Sequence, residues 1–109
     1  MAISVYRLTA LAAFDRGRYQ KVDVVGSDRI QLGLNCLEPG QSQPVHGHAD
    51  QDKFYLVLSG TAQIRLGEEA VTAVAGELAW APAGLAHGVN NPGPERLVLL
   101  VGMAPAPGR

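Results

Sequence analysis

The chain has 109 residues and a formal net charge of −1 at pH 7, which suits one domain with one core. The balanced charge provides no basic surface for nucleic acid and no charge run for an anionic membrane. No apolar stretch is long enough to span a bilayer, and the N-terminus lacks the leading basic region of a signal peptide. The single cysteine, Cys36, excludes an intrachain disulfide, so we expect a cytoplasmic protein.

Turn-forming residues divide the chain into short extended segments. Thirteen glycines and seven prolines favour many turns, which is typical of an all-β domain. Residues 8–14 fit either one short helix or an opening strand. The predicted strands are 22–25, 30–37, 43–48, 54–58, 61–66, 70–75, 78–81 and 97–101. Each half of the chain contains a glycine turn, a histidine and a hydrophobic run, which suggests a small jelly-roll barrel.

The second predicted strand has two different faces. Cys36 shares one face with Leu32 and Leu34, which predicts that it is a small apolar core residue. Gln31 and Asn35 lie on the other face, where they either line a pocket or meet solvent. Solvent is the commoner environment, because one face of an antiparallel sheet usually meets water.

The three histidines fall in two turn-rich segments. His46 and His48 are two residues apart on a predicted strand, so both imidazoles point to the same face. Among side chains that titrate near neutral pH, histidine is the commonest metal ligand. The pair is therefore a candidate for the first half of a metal site. His87 follows the turn at 82–84 and lies in the second segment.

Two glycine-bounded motifs contain these histidines. Residues 40–60 fit G-x5-H-x-H-x3/4-E-x6-G except at the glutamate, and residues 76–91 fit G-x5-P-x-G-x2-H-x3-N throughout. The residues that match are Gly40, His46, His48 and Gly60, then Gly76, Pro82, Gly84, His87 and Asn91. The chain thus resembles the small single-domain cupins, whose barrel is the RmlC-like jelly roll. We predict that Asn91 stabilises the loop after His87 through side-chain-to-backbone hydrogen bonds.

The resemblance implies a fold and a class of activity. The fold would be an all-β cupin double-stranded β-helix, or jelly-roll barrel, as one domain over residues 1–109. His46, His48 and His87 would bind a divalent transition metal ion such as Fe, Mn, Ni or Zn. The protein would be a homodimeric, metal-dependent enzyme of dioxygenase, isomerase or lyase type acting on a small oxygen-rich metabolite. Some small cupins instead bind or sense small molecules without catalysis, and this alternative stays open.

The position of the family's glutamate holds Lys53. A protonated lysine has no lone pair for a metal. Its ammonium about 5 Å from a divalent ion is repelled by roughly 7 kcal/mol at an effective dielectric of 20. We predict that Gln51, on the same face, supplies the fourth ligand through a local bulge, with Asp52 as a weaker candidate. Alternatively, three histidines and water hold the metal, or a metal-free pocket uses Lys53 to bind an anion.

Three further side chains are candidates for substrate contact. Lys53 would face an anionic substrate, and Tyr55 and Trp80 would form an apolar wall, although core packing explains the two aromatic residues equally well. The sequence identifies no general base. We expect a small-molecule ligand and neither a nucleic acid nor a membrane as partner.

Overall fold

The computed structural model describes residues 4–47 and 49–107. In this part of the chain, nine strands form two antiparallel sheets, and one short helix precedes them. The elements are α1 (Leu8–Leu11), β1 (Gln20–Gly26), β2 (Gln31–Leu37), β3 (Ser42–His46), β4 (Asp52–Ser59), β5 (Thr61–Leu66), β6 (Glu69–Val74), β7 (Leu78–Ala81), β8 (His87–Asn90) and β9 (Leu97–Ala104). The large sheet has the order β1-β2-β9-β4-β7, and the small sheet has the order β3-β8-β5-β6. The predicted all-β jelly-roll architecture is confirmed.

The main core lies between the two sheets. Strand alternation supplies it, because every second residue of each strand points inward. On β4, Tyr55 and Val57 are buried while their neighbours are half-buried or exposed. The buried members of this core are Leu37, Tyr55, Val57, Ala62, Ile64, Ala73, Ala79, Val89, Leu97, Leu99 and Val101.

A second apolar cluster covers the outer face of the large sheet. Leu34, Cys36 and Val98 are buried there beneath the N-terminal segment, which contributes Leu8 and Phe14. The prediction that Cys36 is a core residue is confirmed, and burial raises the pKa of its thiol. The N-terminal segment forms the short helix α1, one of the two structures that its sequence allows.

Strand β8 was not predicted from the sequence, which placed His87 in a turn-rich segment after the turn at 82–84. It pairs with both β3 and β5, and these partners hold its four residues in an extended conformation. The pairing shifts register between Gln43 and His46 of β3, which lie opposite Val89 and His87 of β8, so β3 contains a bulge. The bulge brings both Gln43 and His46 to the cavity between the sheets.

Two motif residues shape the corners of the barrel. Gly60 has a φ of +85°, and a Cβ there would overlap the backbone of Arg96, so only glycine fits. Asn91 is 1% exposed and donates to the carbonyls of Leu37 and Glu95, while its side-chain oxygen accepts from the N–H of Gly93. The predicted loop-stabilising role of Asn91 is confirmed. Among the described residues, no helix is long and apolar enough to cross a bilayer.

Candidate functional site

His46 and His87 meet across two neighbouring strands. His46 ends β3, His87 begins β8, and the two residues are direct cross-strand partners. Their ring centroids are 4.5 Å apart and their ring planes are inclined by 64°. His87 is buried and His46 is half-buried at the cavity wall. The two sequence motifs, which lie far apart in the chain, therefore converge on one place in the barrel.

The same local hydrogen bond orients both imidazoles. His46 Nδ1 lies 2.8 Å from the carbonyl oxygen of Pro44, and His87 Nδ1 lies 3.0 Å from that of Leu85. Because a carbonyl oxygen only accepts, each Nδ1 carries the proton and, in the neutral ring, each Nε2 carries the lone pair. Metal-binding histidines are commonly held in this tautomer by such a bond. In this tautomer the Nε2 atoms of His46 and His87 are the ring nitrogens that could bind a divalent transition metal.

The other predicted ligands are placed differently. His48 lies outside the described residues. Gln51 donates through Nε2 to the carbonyl of Pro105 at 3.1 Å, and Asp52 accepts from the N–H of Ala83 at 2.9 Å. Within residues 4–47 and 49–107, no three His, Cys, Asp or Glu side chains form a metal-binding group. The complete set of His46, His48, Gln51 and His87 therefore stays a prediction.

A cavity of about 190 Å³ adjoins His46 on the inner face of the large sheet. Gly33 of β2 and Val101 of β9 form part of its wall. Its polar side chains include Lys21, Asn35, Gln43, His46 and Lys53. Gln31 and Asn35 thus line a pocket, the less common of the two environments considered for their face.

Lys53 points into this cavity from β4 and is only 4% exposed. Its Nζ lies 4.9 Å from the centroid of the Tyr55 ring, so the aromatic face accommodates part of the charge. Burial, followed by the charge of Lys21, lowers the pKa of the Lys53 ammonium to about 8. At neutral pH the cavity therefore contains a poorly solvated positive charge.

Tyr55 lies between the cavity residue Gln43 and His87. Its hydroxyl donates to Oε1 of Gln43 at 2.7 Å, and its ring centroid lies 5.9 Å from that of His87. Burial raises the pKa of the Tyr55 hydroxyl, which keeps the group protonated and able to donate. Gln43 was not identified from the sequence. Its burial beside Pro44, in an edge strand, depends on the bulge of β3, and strand parity gives no signal for it.

Trp80 does not contribute to the cavity wall. Its neighbours on β7, Ala79 and Ala81, take the inward positions opposite Tyr55 and Lys53. Strand alternation then directs Trp80 to the outer face of the large sheet, where it is 52% exposed. The predicted apolar wall of the cavity is therefore corrected, because Trp80 lies away from the cavity on the outer face.

Comparison with known proteins finds one matching family and similar proteins of the same length. The family model described as "Cupin domain" matches residues 33–103, more than half of the chain. The crystal structure of TT1209 from Thermus thermophilus has 39% sequence identity and a TM-score of 0.93, and the match covers 96% of this chain and all of that one. The uncharacterized protein SCO3923 of Streptomyces coelicolor is 31% identical over 100 residues, which is 92% of each protein.

Other relatives are much longer proteins. Mannose-1-phosphate guanylyltransferase 2 of Escherichia coli O157:H7 is 29% identical over 77 residues, which make up 71% of this chain but 16% of that protein. The chain thus spans less than a fifth of the length of such relatives.

Proposed function

Because this chain belongs to the cupin domain family, we propose that it binds a divalent transition metal and takes a small, anionic, oxygen-rich metabolite in the adjoining cavity. The metal ligands would be His46, His48 and His87, with Gln51 as the fourth. The observation that carries the proposal is the pairing of His46 and His87, each with Nδ1 bound to a backbone carbonyl. That pairing places two imidazoles with Nε2 lone pairs side by side, although their motifs are distant in the chain.

The metal, when bound, would supply Lewis acidity for dioxygenase, isomerase or lyase chemistry. The chain's own groups bind and orient the metabolite. Lys53 supplies a positive charge to an anionic group, and the Tyr55–Gln43 hydrogen bond fixes the amide at the cavity wall. The low solvent exposure of Lys53 and Gln43 strengthens their electrostatic interactions with any ligand.

The names of the longer relatives support an anionic substrate. The matched stretch of the guanylyltransferase belongs to a protein named for mannose 1-phosphate, a sugar phosphate. Because the match covers only part of that protein, we transfer the chemical class of an oxygen-rich anion to this chain and not the reaction itself.

A metal-free binding or sensing protein is the second candidate. Lys53 favours it, because a buried ammonium stands where the family has a metal-binding carboxylate. In that case Lys53 would be the main recognition group, and catalysis would not be expected.

Elemental analysis distinguishes the two candidates. The purified, untagged protein should contain about one transition metal per chain, and the His46→Ala and His87→Ala variants should lose it. Gln63→Ala, at an exposed position of β5, is the matched control and should retain the metal. If the wild type binds no Fe(II), Mn(II), Ni(II) or Zn(II) after reconstitution, the metal proposal is overturned and the binding protein remains.

Metal binding by two further variants tests which residue is the fourth ligand. If Gln51 binds the metal, Gln51→Ala weakens metal binding while Asp52→Ala does not. Equal affinity in wild type and Gln51→Ala would favour the three histidines with water. The expected order rests on the sequence parity of Gln51 and Lys53, since Gln51 immediately precedes β4.

We also propose a homodimer. Leu78 and Trp80 are more than half exposed on β7, an edge strand of the large sheet within the described residues. Phe54 and Leu56 of β4 are half-buried on the same face. An apolar outer face at an open sheet edge favours burial by a second copy of the chain.

A further inference from the structure

The amide of Asn35 is a buried polar group in the cavity wall. Asn35 lies on the inward-facing side of β2 and is 4% exposed. Its Nδ2 makes no hydrogen bond to any residue that the structure describes. Buried amide donors are nearly always paired in native proteins, because leaving one without an acceptor costs free energy. An acceptor supplied from the cavity would remove that cost.

The space beside Asn35 is available to a ligand. Gly33, two residues earlier on the same face, has no side chain and also lines the cavity. A Cβ at Gly33 would lie 2.9 Å from the carbonyl oxygen of Val22, so the close pairing of β1 and β2 keeps this position small. The cavity therefore reaches the wall next to the amide.

The charge of the wall favours an anion. Lys21 is the direct cross-strand partner of Asn35, and Lys53 faces the same cavity from β4. The one acidic residue among the described lining residues is Asp23, which is exposed and accepts a hydrogen bond from Gln31 Nε2 at 3.3 Å. Two lysines against one aspartate give the lining an excess of one positive charge.

We propose that Asn35, Lys21 and Lys53 form an oxyanion subsite, in which the Asn35 amide donates to one oxygen of a carboxylate or phosphate and the two ammonium groups balance its charge. This inference rests on the proposed function, because it specifies how the cavity holds its anionic metabolite. The cavity of about 190 Å³ is smaller than the roughly 300–1,000 Å³ of sites for drug-sized ligands. The ligand is therefore a compact anion such as a short hydroxy acid or a small phosphorylated compound.

Isothermal titration calorimetry of the full chain tests the subsite with inorganic phosphate and with glycolate as separate probes. Each titration is run on chelator-treated protein and on protein reconstituted with metal. Asn35→Leu keeps the approximate shape and removes the donor, so it should weaken binding of the preferred probe at least tenfold. Asn35→Asp keeps the size and adds a negative charge, so it should weaken binding further. Gln63→Leu removes an exposed amide from the outer face of the small sheet and should bind as the wild type does.

Thermal unfolding separates ligand contact from a structural role. Asn35→Leu should unfold at the wild-type temperature or above, because it removes a buried amide without a partner. The anion should raise the unfolding temperature of the wild type more than that of Asn35→Leu.

Two results would overturn the subsite, and they can be told apart. If the wild type binds a probe and both Asn35 variants bind it equally well, the subsite is wrong while the anionic metabolite stands. If the wild type binds neither probe with or without metal, the subsite and the anionic metabolite both fail.

Discussion

Lys53 and Tyr55 point from the same face of β4 toward the interior, and the Lys53 ammonium lies 4.9 Å from the centroid of the Tyr55 ring. A cation above an aromatic face gains about 0.5–2 kcal/mol, which offsets only part of the cost of removing an ammonium from water. The lowered pKa of Lys53 follows from that imbalance. Lys53 is therefore a charge that the fold keeps at a cost in stability, as expected of a group that serves a ligand.

Replacing Lys53 with methionine should raise the free energy of unfolding at pH 7. The fall in the pKa of Lys53 from 10.5 to about 8 corresponds to a penalty of at most about 3 kcal/mol. From pH 8 to 10.5 the unfolded chain binds more protons at this residue than the folded chain, so the lysine penalty disappears as pH rises. Urea unfolding should show that Lys53→Met has the larger free energy of unfolding at neutral pH, and that its difference from wild type is smaller near pH 9.5.

Tyr55 and Cys36 also titrate in alkali, but their effects on the free energy of unfolding are shared by wild type and Lys53→Met. Burial raises the pKa of Tyr55 and of Cys36, so the unfolded chain loses these protons first and stability falls at high pH in both proteins. Lys21→Met removes an exposed ammonium and should change stability at pH 7 by less than about 0.5 kcal/mol. A stability difference between wild type and Lys53→Met that is the same at both pH values would contradict the prediction.

Lys53→Glu should increase metal affinity. It places a carboxylate at the motif position where the resemblance implies a ligand, and it removes the repulsion between an ammonium and a divalent ion. Lys53→Gln is the matched control, because it removes the charge without adding a carboxylate. Competition with a chelator should rank the affinities as Glu above Gln above the wild-type lysine. Equal affinity in all three proteins would mean that Lys53 does not face the metal.

Asn91→Ala should destabilise the fold without changing metal content. The side chain makes three hydrogen bonds to the backbone of the neighbouring loop and of β2. Their loss, with buried carbonyls left unpaired, should lower the free energy of unfolding by about 2–4 kcal/mol. Asn90→Ala removes side-chain hydrogen bonds to the exposed residues Ser42 and Gln63 and should cost less than about 1 kcal/mol. Urea unfolding of the two variants provides the comparison, and equal losses would argue against the buried role of Asn91.

The sequence predicted the strands through local signals, and it brought His46 and His87 together through the resemblance of their motifs to the cupins. Alternation and turn residues predicted most strands, and glycine spacing located the motifs that bring His46 and His87 together. Strand β8 was missed because four residues with an internal Gly88 have little strand propensity of their own. Its pairing with β3 and β5 determines its conformation.

Side-chain direction was predicted less well at the bulge of β3 and at Trp80 of β7. The bulge in β3 breaks parity between Gln43 and His46, so no count along the strand predicts that both reach the cavity. Trp80 was expected in the apolar wall of the pocket or in the core, but the small Ala79 and Ala81 occupy the inner positions of β7. These alanines lie directly beside Tyr55 and Lys53 of the neighbouring strand β4 and leave room for those longer side chains.

The outward position of Trp80 leads to the prediction about assembly. Wild-type protein should have a mass of twice 11.5 kDa by light scattering, because burial of Trp80 and Leu78 against a second copy removes exposed apolar area from water. Trp80→Lys places a charge in that interface and should shift the mass toward one chain. Val71→Lys makes the same change at an exposed valine of β6, in the other sheet, and should leave the mass unchanged. A wild-type mass of one chain would overturn the dimer, and a dimer that persists in Trp80→Lys would place the interface on another surface.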